Sequence, residues 1–93
     1  MIQSLPDMIP ECYERSLQLL RKNLTPDGII ACAKSQKAVD RHYASIFGRD
    51  ASICSLGMIV TRDKELIAHA KASLLFLAQH QASNGQIPKY VKP

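Results

Sequence analysis

The stretch Lys64-Glu-Leu-Ile-Ala-His-Ala-Lys-Ala-Ser-Leu-Leu-Phe-Leu-Ala-Gln-His-Gln81 decides the fold class. Leu66, Ile67, Ala70, Leu74, Leu77, Ala78 and Gln81 recur with a period of about 3.6 residues, which predicts a helix with one face on a core. Lys64, Glu65, His69, Lys71 and Gln79 fall away from the centre of that stripe. The alanine content favours helix, and Asp63, at the end of the turn Thr61-Arg62-Asp63, is a natural N-cap. Asn84-Gly85 supplies a stop signal, because glycine accepts the positive φ that helices commonly end on. Beyond it, Gln86 to Pro93 reads as an extended segment carrying Ile87, Tyr90 and Val91, apolar residues that need a partner to cover them.

Upstream, Asp50 is the expected N-cap of a shorter helix whose inner face is formed by Ile53, Leu56, Gly57 and Val60. A glycine inside a helix costs about 1 kcal/mol relative to alanine, so Gly57 suggests close approach of another helix. Two short apolar runs precede it, Gly28 to Lys34 and Tyr43 to Phe47, separated by the polar stretch Ser35 to His42. They predict a small hairpin or a packed loop. The turn run Thr25-Pro26-Asp27-Gly28 ends an N-terminal helix opened by Ser4-Leu-Pro-Asp7. In that helix Ile9, Cys12, Tyr13, Leu17, Leu20 and Leu24 make the expected buried stripe. The expectation is a mainly α chain of three helices, or one and a half helical hairpins, forming a single segment over residues 1–93.

Bulk properties exclude several classes. The chain has 93 residues, 46% apolar and 22% charged. This is an ordinary soluble composition with a small core for its surface. No apolar run approaches the roughly 18 residues of a membrane span, and Met1 to Met8 lacks the charged start and apolar centre of a secretory leader, which points to the cytoplasm. Cys12, Cys32 and Cys54 are an odd set at wide spacing, neither a disulfide framework nor a zinc site, and read as buried free thiols in a reducing compartment. Cys54, near a helix start, is the one candidate for a lowered thiol pKa. His42, His69 and His80 are too dispersed for a metal, so neither a metal nor another cofactor is expected. The net charge of +4 is spread over separate positions without interleaved aromatics, which argues against a nucleic-acid partner.

The sharpest chemistry lies in Phe47-Gly48-Arg49-Asp50. A guanidinium offers a fork of donors and a carboxylate offers acceptors, which together suit the hydroxyls of a sugar. Phe47 and Tyr43 would supply an apolar face for the ring. The plainer reading makes Asp50 a helix cap and Arg49 its surface ion-pair partner. A carboxylate beside a guanidinium favours its charged form, the wrong form for a general acid, which argues against Asp50 in that role.

Tyr43-Ala-Ser-Ile-Phe-Gly-Arg-Asp50, followed by an apolar helix, Leu74-Leu-Phe-Leu-Ala-Gln-His-Gln81 and Asn84-Gly-Gln-Ile-Pro88, resembles the early part of the six-hairpin α/α-barrel glycoside hydrolases. Within them it looks most like the glycogen-debranching amylo-α-1,6-glucosidases and glucoamylase-like proteins, with neutral invertases and trehalases more distant. The likeness spans about Asp27 to Pro93. It implies an α/α toroid of which this chain is the first, incomplete part, and an activity on α-glucosidic bonds. It implies that Arg49 and Asp50 bind hydroxyls of the terminal sugar, that Gln86 and Lys89 line the same cleft, and that the catalytic acid and base lie further along. Glucoamylase-like members carry Trp-Pro before the Arg-Asp; here Phe47-Gly48 stands there, and the chain has no Trp. A carbohydrate is then the expected ligand, and the rest of a barrel or a partner chain the expected cover for apolar surface. The alternative from length and amphipathic helices alone is a non-enzymatic protein–protein interaction module.

Overall fold

The computed structural model describes residues 4–93. The first three residues of the Met1 to Met8 reading lie outside the described residues. The described residues are mainly α, as expected, but hold four helices rather than three: α1 (Leu5–Lys22), α2 (Gln36–Asp40), α3 (Gly48–Val60) and α4 (Lys64–Gln79). Four two-residue strands complete the fold: β1 (Leu24–Thr25), β2 (Gly28–Ile29), β3 (Ile46–Phe47) and β4 (Tyr90–Val91).

Helix α1 begins as predicted after extended Ser4, whose hydroxyl donates to the Asp7 carboxylate at 2.6 Å, with a proline in the first turn. Its expected stripe is mostly not buried. Leu17 alone is buried and Leu20 and Leu24 are half-buried, while Ile9, Tyr13 and Cys12 face solvent. The amphipathic pattern is present, but only the last turns of α1 reach the core.

The turn Thr25 to Gly28 joins β1 to β2 as an antiparallel hairpin with Leu24 opposite Ile29 and Thr25 opposite Gly28. The Thr25 hydroxyl donates to the Gly28 carbonyl at 2.8 Å. Of the two alternatives for Gly28–Lys34 and Tyr43–Phe47, a hairpin or a packed loop, the hairpin between them does not form. The two runs share one backbone bond, Ala31 N–H to Ser45 O at 3.0 Å, and each strand pairs elsewhere. The polar stretch between them holds α2, which the sequence reading missed. Ser35 caps it by accepting from Ala38 N–H at 3.1 Å, and five residues are too few to show helical periodicity.

Helix α3 starts at Gly48 with Phe47 as the extended N-cap, so Asp50 lies in the first turn and is not the cap. The predicted inner face is also wrong. Ile53, Leu56, Gly57 and Val60 are exposed, and Gly48, Ala51, Ser55 and Met58 face the core. A helix apolar around most of its circumference gives periodicity little to choose with. Beyond its own turn of helix, no atom of the described residues lies within 4 Å of where a Gly57 Cβ would stand, so that glycine serves no close packing between helices.

Thr61 and Arg62, the latter at φ 60°, turn the chain into α4, and α3 and α4 pack as the principal helical pair. Leu66, Ala70 and Leu77 are buried as predicted, but Ser73 completes the inner row in place of Leu74, and Ala78 and Gln81 are exposed. Ser55 and Ser73 are tolerated inside because each hydroxyl donates to the carbonyl four residues earlier, at 2.7 and 2.9 Å. Helix α4 ends at Gln79, before Asn84-Gly85, and Gly85 with φ 93° closes a separate turn instead. The extended tail finds its partner inside the chain: β4 pairs antiparallel with β3, Ile46 opposite Val91 and Phe47 opposite Tyr90.

Asp63 caps α4 as predicted, accepting from Leu66 N–H at 3.0 Å, and it also accepts from the Arg21 guanidinium, which ties α1 to α4. These bonds, the Leu66 N–H first and Arg21 next, hold its carboxyl below the ordinary carboxylate value. A carboxyl depressed by folding contributes stability above its unfolded pKa and loses it as pH falls through the folded one. Asp63→Asn keeps a capping oxygen and removes the charge. It is expected to lower Tm at neutral pH, with the deficit shrinking toward about pH 2, as thermal melts across pH will read. An equal deficit at both ends would contradict the pairing.

Candidate functional site

The β3–β4 pairing does more than cover the tail. It lays Ile87-Pro88-Lys89 against the N-terminus of α3, where Gly48 N–H donates to the Lys89 carbonyl at 3.0 Å. The approach is close enough that a Cβ on Gly48 would stand 2.8 Å from the Pro88 carbonyl oxygen. Between the two segments lies a cleft of about 510 Å³ lined by Phe47, Gly48, Arg49, Asp50, Ser52, Ile87, Pro88 and Lys89.

Four of the six residues singled out in the sequence meet here: Phe47, Arg49, Asp50 and Lys89. Tyr43 does not line the cleft; it is about half exposed, with its N–H donating to the Ala38 carbonyl at 2.8 Å. Gln86 is also outside it. Its N–H donates to Asn84 Oδ1 at 3.0 Å and its carbonyl accepts from Ala82 N–H at 2.9 Å, so it belongs to the turn after α4. The aromatic partner of Phe47 is Tyr90, with ring centroids 5.3 Å apart, and Tyr90 in turn stacks on His42 at 5.7 Å. Tyr90 itself does not line the cleft, and its packing on Phe47 was not readable in the sequence because the two are distant along the chain.

Arg49 Nε lies 3.8 Å from Asp50 Oδ1, with 87% of the Arg49 side chain exposed. At that distance and exposure the attraction is weak, and both groups remain available to a ligand. The cleft therefore offers two cations, Arg49 and Lys89, one carboxylate, a Ser52 hydroxyl that donates to the Gly48 carbonyl at 2.7 Å and so can only accept from a ligand, and apolar edges from Phe47 and Ile87. That mixture of donors, acceptors and apolar edge can hold a polyhydroxylated ring. Cleavage of a glycosidic bond takes two carboxyl groups flanking it, and Asp50 is the only one lining this cleft.

A second, more apolar hollow of about 320 Å³ adjoins the other side of α3, where Asp50 and Phe47 meet Leu20, Asn23, Ile30 and Cys54. Burial first, and then the Asp50 charge, push the Cys54 thiol up, the opposite of an activated nucleophile. Cys12 and Cys32 are exposed, so the expectation of three buried thiols is corrected. With a disulfide reagent at about pH 8, Cys12 and Cys32 are expected to react in a fast phase and Cys54 in a slow one. Three equal rates would contradict this arrangement.

The chain matches no family model, no curated protein and no solved structure.

Among the described residues no three His, Cys, Asp or Glu side chains converge as a metal site. None of the described helices is long and apolar enough to cross a membrane.

Proposed function

We propose that the chain holds the terminal sugar of an α-glucoside in the cleft between Phe47–Ser52 and Ile87–Lys89, as the first part of an α/α-toroid glycoside hydrolase. The observation that carries the reading is the meeting of Phe47-Gly48-Arg49-Asp50 with Ile87-Pro88-Lys89, two segments far apart in sequence, around one cleft of mixed polarity. These are the segments whose order resembles the debranching and glucoamylase-like enzymes. Arg49 donates to sugar hydroxyls, Asp50 accepts from them, and Phe47 backs the ring. The acid and base come from residues beyond this chain.

The exposed apolar residues fit the same reading. Ile53, Leu56 and Val60 on α3, with Leu74 and Leu75 on α4, present a surface that further helical hairpins of a toroid would cover. That surface also favours the second reading, a non-enzymatic module that docks another protein.

The two separate on activity. In the gene product that carries this chain, Arg49→Ala is expected to lower kcat/KM on an α-glucoside by about tenfold to a hundredfold, the loss of a charged hydrogen bond to the sugar. Unchanged kcat/KM in both Arg49→Ala and Asp50→Ala would remove the site assignment and leave the docking module.

A further inference from the structure

The apolar hollow on the other side of α3 is built entirely from residues between Leu19 and Cys54. Leu20 at the end of α1, Ile29 and Ile30 of β2 and the residue after it, and Ile53 of α3 supply its hydrocarbon. Ala31 and Ala51 complete the wall with side chains too short to fill the space, which measures about 320 Å³. Small-ligand pockets run from roughly 300 to 1,000 Å³ and are mostly apolar with a few polar groups.

One carboxylate reaches this space. Asp50, in the first turn of α3, lines the hollow, and no lysine, arginine or histidine does. The Asp50 side chain is half exposed, so a ligand can touch it. Its ion-pair partner among the described residues is Arg49, 3.8 Å away and itself 87% exposed. So weak a pair leaves most of the Asp50 charge uncompensated. That charge is felt inside the hollow: burial first, and then Asp50, push the Cys54 thiol up. Beside an apolar wall an opposite charge is held more strongly than in open water. A ligand that fits brings hydrocarbon for the wall and a cation for Asp50.

We propose that this hollow binds a small molecule with an apolar body and an ammonium head: the body packs on Leu20, Ile30 and Ile53, and the head pairs with the Asp50 carboxylate. A neutral apolar ligand would desolvate the carboxylate without replacing its lost water, and an anion would be repelled by it. The assignment does not rest on the sugar reading, although Phe47 and Asp50 line both volumes.

The test is titration of the ¹⁵N-labelled chain with three probes of one hydrocarbon length, hexylammonium, hexanol and hexanoate, at neutral pH and constant ionic strength. The account expects saturable amide shifts at Leu20, Ile30 and Asp50 to Cys54 with hexylammonium, at a Kd on the order of millimolar. Hexanol is expected to bind about tenfold more weakly, and hexanoate not at all. Asp50→Asn is expected to erase the preference for the ammonium while the alcohol still binds. Thiol chemistry gives an independent readout. Hexylammonium is expected to slow the reaction of Cys54 with a disulfide reagent severalfold and to leave the exposed Cys12 and Cys32 unchanged. Equal binding of the ammonium and the alcohol, shifts that fail to saturate, or a preference that survives Asp50→Asn would each overturn the proposal. So would equal slowing of all three thiols, or none.

Discussion

Gly28→Ala is expected to destabilise the chain by about 3–5 kcal/mol, most of the stability a domain of this size has. Two effects combine. Gly28 sits at φ 142°, a conformation that side chains rarely adopt, and an added Cβ would lie 2.4 Å from Ser73 Oγ and 2.7 Å from Ser73 Cα. The contact with Cα belongs to the backbone of α4, so rotating a side chain cannot relieve it. The β1–β2 hairpin would have to lift off α4, and the bond from Ile29 N–H to Ser73 Oγ, 2.9 Å, would be lost with it. Ser73→Ala in the same chain should recover little, because the Cα remains and the Ile29 donor is left without an acceptor. Urea unfolding of the two variants beside the unsubstituted chain measures this. A loss below about 0.5 kcal/mol for Gly28→Ala would mean that the hairpin does not sit on α4 as described.

The second large effect separates the structure from the sequence pattern. The helical stripe of α4 contains both Leu66 and Leu74, yet Leu66 is fully buried and Leu74 is 45% exposed. Leu66→Ala empties a closed site beside the Asp63 cap and is expected to cost about 2–5 kcal/mol. Leu74→Ala trims a side chain already in water and is expected to cost under about 1 kcal/mol. Matched urea melts on the two variants measure the difference. Equal costs would mean that the row through Ser73 is not the inner face.

The same contrast shows how much of the fold was legible. The start of α4 was read correctly because a cap residue acts within three positions of itself, and Asp63 to Leu66 is such a distance. The turn at Thr25 to Gly28 was legible for the same reason. The inner face of α3 was not, because isoleucine, leucine and valine lie on its outer side and serine and alanine on its inner side. Buried serines mislead a reading that equates polar with exposed, although each at α3 and α4 is satisfied by its own helix. The partner of the tail was illegible because strands of two residues carry no alternation, and β3 and β4 are far apart in the chain. The site followed the same rule. Phe47, Arg49 and Asp50 are neighbours and were found together, and Lys89 entered through resemblance and lies with them. Tyr43 sits on the chain between α2 and β3, away from the cleft, and Gln86 is held in the turn after α4. Tyr90 packs on the Phe47 ring but, like Tyr43, does not line the cleft.

That cleft is also where the functional account is most directly exposed to test. The decisive measurement is an amide-shift titration of the ¹⁵N-labelled chain with maltose, repeated on Arg49→Ala. The account predicts saturable shifts confined to Gly48–Ser52 and Ile87–Lys89, with a Kd on the order of millimolar, lost or much weakened in the variant. Shifts elsewhere, shifts unaffected by the substitution, or none at all would contradict sugar binding at this site.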